Sequence, residues 1–217
     1  LLPKLIHSLE KQTFNKWRAI FVDGGSSKKH VKELEKICLN NDRFTWVKQS
    51  NEHKFIYGAM NYGIKFANKE EWVLFWGSDD YASSKNSLME YVNIYNDSVK
   101  LHNLKPDLIV LAGRYFNLLN RKKTRTTFFS FSKELLTFNS NNVKKKFFLG
   151  FSIPHQSAAF SPRSIRLLDS YDEEFKLAAD LKCFLELVFK YEITLATSNK
   201  VIVNIADSGI SNRLRNK

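Results

Sequence analysis

Apolar runs alternate with stretches of helical spacing in the first part of the chain, and this order limits the folds that it can adopt. The runs predict strands at 17–22, 44–47 and 72–76. The spacing predicts helices at 2–9, 28–40 and 58–67. Strands that alternate with helices imply right-handed crossovers and a mostly parallel sheet. We therefore predict an α/β fold.

The composition favours one globular domain. A chain of 217 residues that is 43% hydrophobic can bury one sizeable core. Cys38 and Cys183 each lie in a stretch of helical spacing, which favours buried free thiols over a disulfide and fits cytosolic surroundings. Because the sequence has no apolar run of about 18 residues and no signal-peptide pattern at its start, we expect no membrane span.

The net charge of +12 is concentrated in one basic stretch. Residues 98–150 contain eleven Lys or Arg and only two acidic residues. Such a stretch could contact nucleic acid, anionic lipid headgroups or an acidic substrate, and charge alone does not separate these partners. The alternative is a solvated face that keeps the protein soluble.

Two polar clusters follow predicted strands, at 23–27 and 77–80. In an open sheet of this kind, ligands bind beyond the carboxyl ends of the strands, so both clusters should face one crevice. Gly24 would let a ligand approach the backbone, and Asp23 could accept hydrogen bonds from a base or a ribose. The alternative for 23–27 is an ordinary turn from a strand to a helix.

Asp79 and Asp80 are adjacent carboxylates at the end of an apolar run. They repel one another unless a cation or hydrogen-bond donors compensate. Mg²⁺ or Mn²⁺, held by one or two carboxylates and by phosphate oxygens, is the usual arrangement for a diphosphate substrate. The pair therefore predicts a metal site, with a helix-capping pair as the alternative.

Three segments match stretches of one known family in the same order. They are Ser8-Leu9-Glu10-Lys11-Gln12-Thr13-Phe14, Ile56-Tyr57-Gly58-Ala59-Met60-Asn61-Tyr62-Gly63-Ile64 and Gly77-Ser78-Asp79-Asp80-Tyr81. They resemble the Ser-Leu-x-x-Gln-Thr-Phe segment, the Ile-Tyr-Asp-Ala-Met-Asn-Lys-Gly-Ile segment and the variant of the Asp-x-Asp motif whose first position is not acidic, all from the family 2 glycosyltransferases, in particular bacterial members that assemble surface polysaccharides. The resemblance runs from residue 1 to about 212 and is weakest at 115–150.

The resemblance implies the GT-A fold in a single domain over 1–217, with a nucleotide-sugar-binding half at 1–111 and an acceptor-side half at 112–217. It implies that Asp23 holds the nucleobase, Asp79 the ribose or sugar, and Asp80 the metal that bridges the diphosphate. Tyr57 and Asn61 would line the same pocket, although an Asn on a helix is also typical of a cap or a surface position.

Two residues of the second half are further candidates. An inverting transfer needs a base that takes the proton of the acceptor hydroxyl. Asp180 matches the position of the family's catalytic Asp, with a helix N-cap as the alternative, whereas the acidic run at 172–174 is expected to be solvated. His155 matches a His-Gln that lies by the donor or acceptor site in similar proteins, with a polar residue at a strand start as the alternative.

The chain also departs from the family pattern. It opens directly in the helix that follows the family's first strand, so that strand is expected to be missing. Lys28 and Gly58 stand where the family often has Asp. The segment 208–211 resembles a Gly-Gly-x-Ser loop with Ser208 in place of the first Gly, and Arg213 and Arg215 beyond it could follow a diphosphate or a lipid headgroup.

The resemblance implies an inverting, metal-dependent transfer from a nucleotide-diphosphate sugar to a saccharide or lipid-linked acceptor. It also implies a cytoplasmic location, with the basic stretch in peripheral contact with the membrane. A rival is a non-catalytic basic module that binds nucleic acid or anionic membrane. No nucleic-acid motif is visible, so we expect no nucleic-acid partner. A nucleotidyltransferase would want a Gly-rich basic loop near its first strand, and none is visible.

Overall fold

The first helices and strands follow the predicted order. A computed structural model describes residues 2–132 and 134–207. Its first five elements are α1 (Leu2–Glu10), β1 (Ala19–Asp23), α2 (Lys28–Asn40), β2 (Phe44–Lys48) and α3 (Phe55–Ile64). Strands β1 and β2 pair in parallel, from Ala19 opposite Phe44 to Asp23 opposite Lys48. Both strands therefore end at the same edge.

The second part of the chain forms a larger, mixed sheet. Its strands are β3 (Tyr81–Ala82), β4 (Leu108–Phe116), β5 (Lys123–Thr127), β6 (Leu136–Asn139), β7 (Ala158–Phe160) and β8 (Thr194–Ala206). Its helices are α4 (Ser87–His102), α5 (Ser140–Phe148), α6 (Pro162–Leu168) and α7 (Ala179–Lys190), with a 3-10 turn at His155–Ser157. Strand β4 pairs with β8 in parallel, and the remaining pairings of this sheet are antiparallel. The α/β fold class is confirmed, in sheets that are not purely parallel.

Helices cover both faces of the central strand β4. Leu108 and Val110 pack in one hydrophobic cluster with α7, whereas Ile109 and Leu111 pack in a second cluster with α4. This alternation is the period-two pattern of a strand, and burial on both faces explains why the run is apolar throughout. A third cluster joins α1, α2 and β2, and Trp76 packs against both the second and the third.

The predicted strand at 72–76 is the main difference between sequence and structure. Only Val73 pairs there, in an isolated bridge with Phe160. The run is nevertheless packed: Phe75 lies against the first cluster, and Trp72 and Leu74 lie against the second. Its apolar character therefore reflects core packing more than strand pairing.

The helix boundaries and the cysteines agree closely with expectation. Helix α2 spans the predicted residues, and Ser27 caps it by accepting a hydrogen bond from the backbone N–H of His30. Helix α3 begins and ends about one turn earlier than predicted. Cys38 and Cys183 are free thiols, with Cys183 buried and Cys38 half-buried. Within the described ranges, no helix is long and apolar enough to cross a bilayer.

Candidate active site

A cleft opens where β1 and β2 end. It has a volume of about 670 Å³, and its lining includes Asp23, Gly24, Gly25, Lys48, Gln49, His53, Lys54 and Phe55. The Asp23 carboxylate is buried and accepts a hydrogen bond from Ser26 N, 3.0 Å from Oδ1. This contact fixes the carboxylate at the cleft and leaves it further lone pairs for a ligand.

Gly24 packs closely against the side chain of Gln49. A Cβ at this position would lie 2.8 Å from Gln49 Oε1, so no larger residue fits without displacing that side chain. The Gln49 amide in turn donates hydrogen bonds to the carbonyls of His53 and Phe55, both at 3.0 Å. The turn after β1 and the loop after β2 therefore form one packed wall of the cleft.

Glu173 holds this loop from the other half of the chain. Its Oε1 lies 2.6 Å from His53 Nδ1 and accepts a hydrogen bond from Asn61 Nδ2 at 2.9 Å. Its Oε2 accepts from the backbone N–H of Lys54 at 3.0 Å. Partial burial alone would raise the pKa of Glu173, but these hydrogen bonds outweigh it and lower the pKa. The expectation that the whole run 172–174 is solvated is thus wrong for Glu173.

The His53 ring connects Glu173 to a lysine. Its Nε2 lies 2.8 Å from Lys65 Nζ. Because an ammonium group can only donate, Nε2 must accept, and Nδ1 then carries the proton that is donated to Glu173. Gly58 makes room for this arrangement, since a Cβ there would lie 2.8 Å from Glu173 Oε2. An Asp at position 58, as in the family pattern, would displace the Glu173 carboxylate.

Asn61 is committed to contacts within the protein. Its Nδ2 also donates to the carbonyl of Tyr171 at 2.8 Å, and its Oδ1 accepts from Tyr171 N at 2.7 Å. Both amide hydrogens are therefore used, and the residue is buried. The predicted contact of Asn61 with a donor stays a prediction, and such a contact would have to use the second lone pair of Oδ1.

Asp180 lies in the first turn of α7. The N-cap of that helix is Ala178, so the alternative of a capping Asp does not describe this position. Asp180 Oδ1 accepts hydrogen bonds from Leu181 N at 2.9 Å and from the Tyr57 hydroxyl at 3.3 Å. Burial, together with the negative charge of Asp180, raises the pKa of Tyr57 to about 12. Tyr57 therefore remains a hydrogen-bond donor to this carboxylate.

His155 lies in an aromatic cluster next to this pair. Its ring stacks on Phe75 at 5.4 Å, and its Nε2 is 2.9 Å from the Tyr171 hydroxyl. Burial lowers the pKa of His155 to about 4, although the charge of Asp180 opposes the shift. The imidazole is therefore neutral near pH 7. The structure places His155 in the core behind Asp180, and its predicted contact with a ligand stays a prediction.

Replacing His155 by Gln should weaken the acid sensitivity of the fold. A His whose pKa is lowered by folding stabilises the folded state fully when the pH is above the pKa of the unfolded chain, near 6.5. This contribution to the free energy of unfolding falls as the pH drops from about 6.5 to about 4. For the wild type the loss is up to about 3 kcal/mol. Urea unfolding across that pH range measures it, with the exposed His102→Gln as the matched control. An unchanged pH slope in His155→Gln would contradict the assignment.

Asp80 ties the turn at 77–80 to the end of β8. Its Oδ2 accepts from Gly77 N at 2.8 Å, and its Oδ1 accepts from Ala206 N at 3.1 Å. Burial, with a smaller effect from the charge of Asp79, raises the pKa of Asp80 to about 7. The next helix, α4, has Asn86 as its N-cap, so Asp79 and Asp80 do not cap it.

The Asp79–Asp80 turn fits a divalent cation that takes its other ligands from a substrate and water. Asp80 is 3% exposed, and its raised pKa shows that the anion lacks full compensation there. A bound cation would supply that compensation. In the parts of the chain that the structure describes, no group of three or more His, Cys, Asp or Glu is arranged to hold a metal. A metal here would therefore depend on the phosphate oxygens of a ligand.

Tyr115 is a half-buried phenol whose pKa responds to several charges around it. Burial raises the pKa of Tyr115, the adjacent Arg125 lowers it, and the charges of both Asp80 and Asp180 raise it further. The negative charges of both carboxylates thus raise the pKa of the same Tyr115 hydroxyl. The Arg125 guanidinium lies 4.1 Å from the centre of the Tyr115 ring. Glu173 is the site residue that sequence reasoning missed, and no local motif marks it.

One part of the predicted site follows residue 207. The loop at 208–211, Arg213 and Arg215 lie outside the described residues.

Asp23 and Gly24 belong to the cleft at the ends of β1 and β2, and Tyr57, Asp180 and His155 form a second group around Tyr171. Asn61 and Glu173 connect the two groups.

Two solved structures share the fold. A crystal structure of TarS from S. aureus matches with a TM-score of 0.65 and 19% identity, over 95% of this chain and 34% of that one. A structure of residues 1–349 of the same protein matches with a TM-score of 0.67 and 18% identity, over 94% of this chain and 56% of that one. The chain thus spans about a third to just over half of these structures. At such identities the likeness shows the fold alone.

Sequence comparison assigns the family. No curated protein sequence matches the chain significantly. The family model described as glycosyl transferase family 2 matches residues 1–171, which is most of the chain. That span includes Asp23, Tyr57 and the Asp79–Asp80 turn. The chain therefore belongs to glycosyl transferase family 2.

Proposed function

We propose that the chain is an inverting glycosyltransferase domain, spanning 1–217, that moves a sugar from a nucleotide-diphosphate sugar to a saccharide or lipid-linked acceptor in polysaccharide biosynthesis. The single observation that carries this proposal is the hydrogen bond from the Tyr57 hydroxyl to Asp180 Oδ1, which joins a residue of the family motif on α3 to the predicted base on α7. The two free cysteines are in keeping with a cytoplasmic location.

The cleft at the ends of β1 and β2 would receive the nucleoside. The fixed Asp23 carboxylate would accept hydrogen bonds from the base, and Gly24, which has no side chain, would let the ligand approach the backbone. Phe55 is 68% exposed and lines the cleft, so its ring offers a stacking surface to the base. The donor would thus be bound by groups that are held in place before it arrives.

Asp79 and Asp80 would lie at the sugar and diphosphate end of the donor. Asp80 would hold Mn²⁺ or Mg²⁺ and Asp79 the ribose or sugar. A bound divalent cation supplies electrostatic stabilisation of the departing nucleoside diphosphate. The backbone N–H groups of Gly77 and Ala206 keep the Asp80 carboxylate in one orientation for that role.

Asp180 would act as the general base. Its two hydrogen bonds, from Tyr57 and Leu181, both end on Oδ1, so an acceptor hydroxyl would be received by Oδ2. The proton of that hydroxyl would move to Asp180 as the oxygen attacks the anomeric carbon from the side opposite the nucleotide. Tyr57 stays protonated and orients the carboxylate throughout.

Thermal unfolding with a panel of nucleoside diphosphates tests the proposal. Ligands that bind only the folded state raise the unfolding temperature. We expect one nucleotide to raise it when Mn²⁺ or Mg²⁺ is present and to have little effect without metal. No shift with any nucleotide, together with salt-sensitive binding to DNA, would favour a basic binding module instead.

Replacing Glu173 by Ala should weaken nucleotide binding about tenfold. One charged hydrogen bond is worth about 1.5 kcal/mol, and the His53–Lys54 wall of the cleft would lose its anchor. Titration calorimetry measures the affinity, and the exposed neighbour Glu174→Ala is the matched control. Equal affinities for wild type and Glu173→Ala would show that the contact does not shape the cleft.

A further inference from the structure

The ends of α5 and α7 present an exposed apolar surface. Phe148 is 81% exposed and Leu149 is 75% exposed, both at the end of α5. The Phe148 ring packs edge-on against Phe189 of α7 at 5.9 Å. Soluble proteins rarely leave adjacent large apolar side chains in water without a use. We define Phe148 and Leu149 as the α5 tip.

The α5 tip has a fixed geometry. Gly150 adopts a φ of +81°, which ends the helix in the left-handed conformation. The backbone N–H groups of Leu149, Gly150 and Phe151 donate to carbonyls of the last turn of α5 at 2.9–3.1 Å. The two apolar side chains therefore project from a capped helix end.

Helix α7 continues the apolar surface towards Asp180. Leu181, Leu185 and Phe189 recur every fourth residue and are 37% to 45% exposed. Cys183, Phe184, Leu187 and Val188 form the buried face of the same helix. At 1.5 Å per residue the exposed stripe is about 12 Å long. It begins one residue after Asp180 and ends at the α5 tip.

Lysines flank the α5 tip. Lys144, Lys145 and Lys146 precede it, and residues 139–151 contain no Asp or Glu. None of the three forms an ion pair with any residue that the structure describes. Lys182 on α7 is different, because it pairs with Asp172 and Glu186. Lys145 is exposed, whereas Lys144 and Lys146 are half-buried with their ammonium groups over the rings of Phe189 and Phe151. The surface thus combines exposed Phe and Leu with three cations that lack an acidic partner in the described chain.

This combination identifies one class of partner. Protein interfaces are depleted in Lys, and a nucleic acid or soluble polyanion would not need the exposed Leu149 or the stripe on α7. An apolar surface edged by Lys is the pattern of elements that lie at a membrane surface, where the side chains enter the headgroup region and the lysines meet anionic lipids. We propose that the α5 tip, the three lysines and the α7 stripe dock the domain on an anionic lipid bilayer.

Docking would also bring the membrane surface close to the proposed base, an inference that rests on the proposed function. The stripe on α7 begins beside Asp180, so a docked bilayer would lie close to the proposed base. A lipid-linked acceptor could then present its hydroxyl to Asp180 without leaving the membrane surface. The basic stretch would act through its lysines on α5.

Vesicle co-sedimentation at physiological salt tests the docking surface. Wild type should bind vesicles of mixed phosphatidylglycerol and phosphatidylcholine, and it should bind phosphatidylcholine alone much more weakly. Changing Lys144, Lys145 and Lys146 together to Gln should weaken binding about 100-fold, at about 1 kcal/mol for each lysine. Changing Phe148 and Leu149 together to Ser should weaken it roughly tenfold or more.

The chain offers matched controls. Leu39 and Leu119 are 86% and 95% exposed, and their joint change to Ser removes two apolar side chains elsewhere. Lys29, Lys32 and Lys36 are exposed on α2, and their change to Gln removes three charges elsewhere. Both controls should bind vesicles within about twofold of wild type, because neither touches the docking surface.

Three results would overturn the inference. One is no binding to phosphatidylglycerol vesicles. Another is that the α2 control weakens vesicle binding as much as the change of the three α5 lysines does, which would mean that the attraction is non-specific. The third is that the wild type forms a dimer in light scattering and does not bind vesicles, and that the α5 tip variant abolishes this dimer. Nucleotide-dependent thermal shifts should persist in the α5 variants, so failure of the docking surface and failure of the transferase proposal are separate outcomes.

Discussion

Replacing Asp180 by Asn should lower kcat about a thousandfold while nucleotide affinity stays within about twofold of wild type. The Asn amide has the shape of the carboxylate, and its oxygen can still accept a hydrogen bond from the Tyr57 hydroxyl. It cannot, however, take the proton from the hydroxyl of the sugar acceptor. The loss should therefore fall on the chemical step. Initial rates of sugar transfer, with donor affinity measured separately, check both parts.

The control for Asp180 lies on the same helix. Glu186 is exposed on α7 and pairs only loosely with Lys182, at 3.8 Å. Glu186→Gln should keep nearly full activity. Tyr57→Phe removes one hydrogen bond to Asp180 and should lower kcat about tenfold. If Asp180→Asn keeps more than about a tenth of the wild-type rate, another group must be the base.

Replacing Asp80 by Ala should abolish the metal-dependent stabilisation by nucleoside diphosphate, with at least about a 100-fold loss of affinity. The buried carboxylate is the group whose raised pKa a cation would relieve. Without it, only Asp79 remains at this turn to balance the cation. Thermal unfolding with nucleotide and Mn²⁺, compared with nucleotide alone, measures the loss.

A folding defect must be separated from a loss of metal. Asp80→Ala leaves the N–H groups of Gly77 and Ala206 without their acceptor. Asp80→Asn keeps one acceptor oxygen and removes the charge, so it should fold more like wild type yet also lose the metal effect. The exposed Asp97→Ala should retain it. A full metal-dependent shift in Asp80→Asn would exclude Asp80 as the metal ligand.

Local patterns predicted the first half of the fold well. Helix α2 matches because its apolar spacing and its capping Ser27 act within a few residues. The parallel pairing of β1 and β2 follows from the short helical crossover between them, and it brings Asp23 to the cleft edge. At 72–76 the same apolar signal predicted a strand, because a short buried run looks alike whether or not it pairs.

The sequence by itself determined the α/β class, the family and the strand-end position of Asp23, because periodicity, turn residues and motifs are encoded within short segments. Only the tertiary structure decided which distant side chains meet. Glu173 reaches His53, Tyr57 reaches Asp180, and the α5 tip meets Phe189. These contacts depend on how elements that are distant in the sequence pack together, and no spacing within one segment encodes such an arrangement.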